Sequence, residues 1–184
     1  MKTPLPAISD AEVALLGLLC EGPKHPWQIE KDVQERDMRF WTDLSQSTIY
    51  KQLRSLKKAK LVTCRQEVHD GRLRKVYSVT KSGRQALVAR LRDFLGEPQH
   101  LKWRVDLALY NLNLLPKRDA LARLKTYRVK LVESIALYRD IEACMKTGGC
   151  SPHQLAVVRR PVYLLEGEIR WVDEFTRELR KHRV

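Results

Sequence analysis

The chain has 184 residues, 43% of them hydrophobic, and a formal net charge of +13; that suffices for one domain of ordinary size, or two small ones, with a packed core. No run approaches the roughly 18 uninterrupted apolar residues of a membrane span, and the opening MKTPLPAISD lacks the apolar stretch of a secretory signal, so a cytoplasmic protein with no membrane partner is expected. Cys20, Cys64, Cys144 and Cys150 are scattered, which suits reduced thiols rather than a disulfide framework, and Cys144, Cys150 and His153 lack the paired ligand spacing of structural zinc, so neither metal nor cofactor is expected.

The charge is segregated. Residues 1–50 hold five Lys or Arg against eight Asp or Glu, whereas residues 51–84 hold eleven (Lys51, Arg54, Lys57, Lys58, Lys60, Arg65, Arg72, Arg74, Lys75, Lys81, Arg84) against Glu67 and Asp70 alone. So concentrated a cation attracts polyanions, nucleic acid foremost; a merely solubilising basic surface would carry the same count.

Ser9-Asp10-Ala11-Glu12 reads as a capping box. Val13, Leu15, Leu16, Leu18 and Leu19 then make a helix apolar on nearly every side, stopped by Gly22-Pro23, and such a helix belongs in a core. Pro26 suits the first turn of a second helix, in which Ile29 and Val33 lie one turn apart; Phe40 and Trp41 fall in the connection that follows. Ser45 is the natural cap of a third helix, with Leu44 and Ile49 as its hydrophobic staple. Ile49, Leu53 and Leu56 must face the core, which leaves Gln46, Ser47, Tyr50, Lys51 and Arg54 on the opposite side. Two helices followed by a third with a polar, cationic outer face is the arrangement of a helix-turn-helix reader.

Leu61 to Val68, a turn at Asp70-Gly71 and a return limb from Lys75 to Val79 read as a β-hairpin. Arg72, Arg74 and Lys75 on its tip and return limb suit a wing that grips phosphates. Thr80 caps a helix over about 81–95, with Leu87, Leu91 and Phe94 or Leu95 apolar, and Gly96-Glu97-Pro98 marks a boundary. Three helices follow, over about 99–115, 117–146 and 152–182. The last carries Leu155, Val158, Val162, Leu165, Ile169, Val172 and Leu179 at heptad spacing, with Thr176 the polar slot, and Pro161 should bend it. The middle one repeats the spacing at Leu121, Leu124, Leu131, Ile135, Tyr138 and Met145, interrupted by Arg128 and Glu142. The two stripes can pack on each other within one chain; a small antiparallel pair has little core of its own, so a second subunit against Leu155, Val158, Val162, Leu165, Ile169 and Val172 is the reading preferred.

LSQSTIYKQLRSLKKAKLV, followed by DGRLRKVYSVTKSGRQAL, resembles the PadR family of bacterial winged-helix transcription regulators over about residues 10–95. Lys75, Tyr77, Thr80, Gly83 and Arg84 match the wing-to-helix portion of the family pattern. The C-terminal half, with Arg159-Arg160 and Glu168-Ile-Arg-Trp-Val-Asp-Glu-Phe175, is similar to the helical dimerisation region of the virulence-activator branch. Two departures stand out: members usually carry Gly where this chain has Lys60, and the wing often has Pro where it has Leu73.

The expected fold is mainly α with one small β-hairpin: a winged helix-turn-helix DNA-binding domain over 1–96 and an α-helical dimerisation domain over 97–184. The expected function is a homodimeric regulator of double-stranded DNA, reading a pseudo-palindromic operator. Ser45, Gln46, Ser47, Thr48, Tyr50, Lys51, Arg54, Arg72, Arg74 and Lys75 would form its DNA surface. Gln46, Ser47 and Lys51 would lie near base edges, and the resemblance implies a phosphate contact for Tyr50. As an alternative, the resemblance implies release of DNA on binding a small aromatic effector near Trp103 and Trp171, or, for the activator-like branch, action through a second transcription regulator. His25, His69, His100, His153 and His182 stand in no catalytic constellation, and no glycine-rich phosphate loop occurs, so no catalytic residue is expected.

Overall fold

The local signals at the N-terminus are realised atom by atom in the computed structural model, which describes residues 6–69 and 72–181. The Ser9 hydroxyl accepts from the Glu12 N–H at 3.3 Å while the Glu12 carboxylate accepts from the Ser9 N–H at 2.9 Å. These bonds start α1 (Asp10–Cys20). Its Leu15, Leu16, Leu18 and Leu19 are buried together with Ile29 and Val33 of α2 (Pro26–Glu35), in which Pro26 occupies the first turn. A 3-10 turn over Met38–Phe40 leads to α3 (Gln46–Lys58). There the Ser45 hydroxyl accepts from the Thr48 N–H at 3.1 Å, and Leu44, Ile49, Leu53 and Leu56 are fully buried.

The end of α3 is a Schellman motif: Leu61 N–H donates to Leu56 O at 2.9 Å and Lys60 N–H to Lys57 O at 3.0 Å. The geometry requires a left-handed residue, and Lys60 supplies it at φ 58. A side chain there costs on the order of 1 kcal/mol relative to glycine.

From Leu61 the chain enters β1 (Val62–His69), which pairs antiparallel with β2 (Arg72–Val79) in the register Val62↔Val79, Cys64↔Tyr77, Gln66↔Lys75, Val68↔Leu73. The return limb is three residues longer than the alternation over Lys75–Val79 suggested, because ladder pairing carries it up to Arg72. The Asp70-Gly71 turn and the Arg72 side chain lie outside the described residues, as does His182. One connection left no trace in the sequence. Lys24, between α1 and α2, exchanges both backbone bonds with Tyr77 at 3.0 and 2.9 Å, and the His25 ring donates to the Lys75 carbonyl at 3.0 Å. The hairpin is thereby tied to the helical core, and Tyr77, buried there, has its hydroxyl pKa pushed up by desolvation.

The hairpin returns to α4 (Lys81–Gly96) through Thr80, whose hydroxyl donates to the Lys60 and Leu61 carbonyls, both at 3.0 Å, and accepts from Gly83 N–H at 3.0 Å. A Cβ on Gly83 would fall on the Leu61 carbonyl oxygen and within 3.1 Å of the Val79 side chain. Close approach, not a turn, therefore demands glycine at this position.

The chain divides into two compact units, Met1–His100 and Leu101–Val184. In the second, the helix expected over 99–115 is much shorter: α5 spans Arg104–Tyr110, and Leu112–Leu114 form a 3-10 turn. The Asn111 side-chain amide donates to the Leu107 carbonyl at 2.8 Å, competing for the acceptor the next helical turn needs. Pro116 then drives Leu115 to extended backbone, φ −104 and ψ 138. The remainder is an antiparallel pair, α6 (Lys117–Thr147) and α7 (Pro152–Lys181), the latter passing through Pro161 as one helix. Leu124, Leu131 and Val172 lie in its core with Leu165 and Ile169 packed against them.

The residues that interrupt the α6 stripe are ion-pairing partners of α7. Arg128 makes a two-bond fork to Asp173 at 2.7 and 3.1 Å, and Glu142 accepts from Arg159 at 2.6 Å. Arg128 holds the Asp173 carboxyl below its ordinary pKa, and Lys146, at 2.7 Å, with Arg159 does the same for Glu142. Between them, Tyr127 donates to Glu168 at 3.1 Å, and burial with that carboxylate pushes its hydroxyl up to about 12. Among the described residues no helix is long and apolar enough to cross a membrane.

Two substitutions test the α3–β1–α4 junction by urea denaturation. Lys60→Gly should raise stability by about 0.5–1 kcal/mol, the relief of left-handed strain less the added freedom of the unfolded chain. Gly83→Ala should lower it by about 2 kcal/mol, because the new methyl meets backbone that cannot move aside.

Candidate nucleic-acid interface

The buried line Ile49, Leu53, Leu56 sets the rotation of α3. Gln46, Ser47, Tyr50, Lys51 and Arg54 are all exposed, Tyr50 at 45%. Ser47, Lys51, Arg54 and Lys58 follow the i, i+4, i+7, i+11 spacing of a single helical ridge directly away from the core. Arg54 Nε donates to the Tyr50 carbonyl at 3.3 Å, folding the guanidinium back along the helix.

At the N-terminal end three hydroxyls form one cluster, with Ser45 Oγ 3.0 Å from Ser47 Oγ and 2.8 Å from Thr48 Oγ1. Ser45 and the half-buried Thr48 are occupied in capping the start of the helix. Gln46 extends from the same turn as an exposed side chain.

The electrostatics follow from where the acids went. Glu21 holds Arg36 through two bonds at 2.5 and 2.9 Å and also Lys24; Asp32 holds Lys24 at 2.6 Å; Glu30 holds Arg39 at 2.5 Å; Glu35 holds Lys31 at 3.5 Å. The Arg36 guanidinium accordingly keeps the Glu21 carboxyl below its usual range. Glu21 and the acids of α2 are thus matched to cations of the same segment, while Glu12 of α1 serves the cap at Ser9 and Asp10 meets Arg90 of α4 at 3.8 Å. None of Lys51, Arg54, Lys57, Lys58 or Lys60 has a carboxylate partner among the described residues.

On the hairpin, Lys75 is exposed and Arg74 half-buried opposite Glu67, which also pairs with Arg65 at 3.2 Å. The bridge from Lys24 and His25 fixes the base of this hairpin beside α2, a positioning role that sequence reasoning missed because a single pair of bridge residues leaves no periodicity. Near the tip the cross-strand pair Val68 and Leu73 is 73% and 70% exposed.

The other sites expected from the sequence fall in the second unit. Trp103 stands at the N-terminus of α5, 47% exposed. Trp171 stacks on Phe175 with centroids 5.5 Å apart and packs on the α6–α7 core. Of the stripe expected at a subunit interface, Leu155, Val158 and Val172 are buried and Val162, Leu165 and Ile169 half-buried within the chain itself. The most exposed large apolar side chains described in this unit are Leu107, Tyr110, Leu114 and Tyr163, each 70% or more exposed.

Residues 15–89 match the sequence profile of the Transcriptional regulator PadR-like family. Among solved structures, the chain is similar to Bacillus subtilis PadR in complex with operator DNA, with a TM-score of 0.72, 20% identity, and coverage of 95% of this chain and 99% of that one. The same protein in complex with p-coumaric acid aligns with a TM-score of 0.69 at 21% identity, covering 94% and 98%. The virulence activator AphA of Vibrio cholerae aligns with a TM-score of 0.66 at 20% identity, covering 94% and 99%. No curated protein sequence matches significantly. The structural likeness runs through both units and establishes the fold: a winged helix made of α1 to α4 and the hairpin, followed by a helical region. Residues 15–89 thus carry a domain that matches the PadR-like family of transcriptional regulators, and the chain as a whole has the fold of the PadR structures with which it aligns.

Proposed function

We propose that the chain is a homodimeric regulator of the bacterial cytoplasm that reads double-stranded DNA with α3 in the major groove and β1–β2 as a wing on the phosphate backbone. The observation that carries this reading is the segregation of charge in the first unit: matched ion pairs on and beside α2, unmatched cations along the outer ridge of α3. Gln46 and Ser47 are the base-reading side chains, since Gln pairs with the two major-groove groups of adenine, and Lys51 suits guanine acceptors. Tyr50 and Arg54 hold the backbone, with Arg72, Arg74 and Lys75 adding wing contacts. The structural neighbour solved on operator DNA supports the mode of binding.

Two copies would present two reading helices to half-sites about one helical turn, roughly 34–36 Å, apart in a pseudo-palindrome. The exposed Leu107, Tyr110, Leu114 and Tyr163 of the second unit are the surface offered to the second copy, because the α7 stripe is largely spent on α6. Release of DNA by an aromatic acid near Trp103 and Trp171 is the second reading, supported by the neighbour solved with p-coumaric acid and by the exposed Trp103 ring.

Genomic fragments recovered on the protein would supply an operator, and salt titrations by gel shift then separate the roles. Arg74→Ala with Lys75→Ala should weaken binding to every duplex and reduce the log–log salt slope by about 1.8; an unchanged slope removes the wing from the interface. Gln46→Ala should cost about 1–3 kcal/mol on the operator and little on random duplex. Equal losses on both would mean that Gln46 reads no base.

A further inference from the structure

The C-terminal end of α3 carries charge that the reading end does not explain. Lys57 and Lys58 occupy its last turn, and Lys60 follows in the left-handed position at φ 58, where the Schellman geometry favours glycine. The Thr80 hydroxyl donates to the Lys60 carbonyl at 3.0 Å and the Ser82 hydroxyl at 3.4 Å, which brings the first turn of α4, with Lys81 and Arg84, against the same spot.

All five cations are exposed, and none has an ion-pair partner among the described residues. The sequence offers them none nearby: no Asp or Glu occurs between Asp43 and Glu67, or between Asp70 and Asp93. Two segments more than twenty residues apart are thus joined at Lys60, each carrying cations that no described acid pairs, and one of the lysines is kept in a conformation that disfavours any side chain. Strain of that kind points to a use for the side chain, since glycine would serve the fold better.

We propose that Lys57, Lys58, Lys60, Lys81 and Arg84 form a second DNA-backbone contact, separate from the base-reading end of α3 and from the wing. The inference rests on the DNA-binding reading above. A 13-residue helix is about 20 Å long, more than twice the roughly 8.5 Å depth of the major groove. A helix that enters by its N-terminal turn and lies inclined in the groove along its outer ridge therefore carries its last turn past the bases toward the flanking phosphates. Five side chains with positive charge and no planar base-pairing groups other than one guanidinium suit phosphates, whose contacts hold without reading sequence.

The test uses the full chain carrying Lys57→Gln, Lys58→Gln and Lys60→Gly together, and Lys60→Gly alone. Binding is titrated against salt on a recovered operator and on a random duplex of the same length, with urea denaturation of each variant alongside. The triple variant should keep its fold and lose about 2.7 from the log–log salt slope on both duplexes. Lys60→Gly alone should lose about 0.9 while becoming more stable, so that binding and stability move in opposite directions. A triple variant with the parent's slope, or a loss confined to the operator, overturns the second contact alone. A parent that binds neither duplex overturns the DNA-binding reading with it.

Discussion

The carbonyls of Lys60 and Leu61 are the joint on which the first unit turns. They receive the Thr80 hydroxyl, Leu61 also receives the Thr80 N–H at 3.0 Å, and Gly83 comes close enough to Leu61 that no side chain fits. Through this joint the last turn of α3, the first residue of the wing and the cap of α4 become one rigid body. The direction in which α3 presents its outer ridge and the direction in which the hairpin leaves the core are therefore set together. Lys24 and Tyr77 tie the hairpin at a second point, so it cannot swing about the joint as a free ribbon, and an isolated two-stranded hairpin would be marginal without such anchorage.

Charge in the unit is arranged with the same economy. Glu21 and the acidic residues of α2 are consumed by Lys24, Lys31, Arg36 and Arg39 across short distances, and they cost the reading surface nothing because they lie outside α3. What remains unmatched faces one way on α3. The exposed pairs among them, such as Lys31 with Glu35, contribute little stability. Their consequence is a field that is positive where polyanions are to be met rather than averaged over the whole surface.

The second unit shows the opposite use of charge. Arg128 and Glu142 look like flaws in an apolar stripe, yet each finds a partner on α7. Two antiparallel helices with a modest apolar seam could slide past one another by a turn; ion pairs at defined positions oppose such slippage by leaving charges unmatched in the wrong register. Lys117 at the start of α6 donates to the Arg180 carbonyl at 3.1 Å near the end of α7, extending the same register.

Much of this was legible in the residues alone, for a physical reason: caps, staples and amphipathic spacing are local. Ser9 with Glu12, Pro26, Ser45 before Thr48, and Thr80 before Gly83 act over three or four residues, and the burial of Ile49, Leu53 and Leu56 follows from helical spacing. The family resemblance rested on the same local pattern. What depended on distant chain segments was not legible. The Lys24–Tyr77 bridge joins residues with no shared periodicity. The shortening of α5 hinges on which donor wins the Leu107 carbonyl. The α7 stripe, read from spacing as a seam for a second subunit, could not show how much of it α6 of the same chain covers. The sequence by itself determined the buried faces of α1, α2 and α3 and the caps that start α1, α3 and α4; only the tertiary structure decided which cations stand together without acids, because that depends on segments brought into contact by the Leu61–Thr80 junction and not on spacing along the chain.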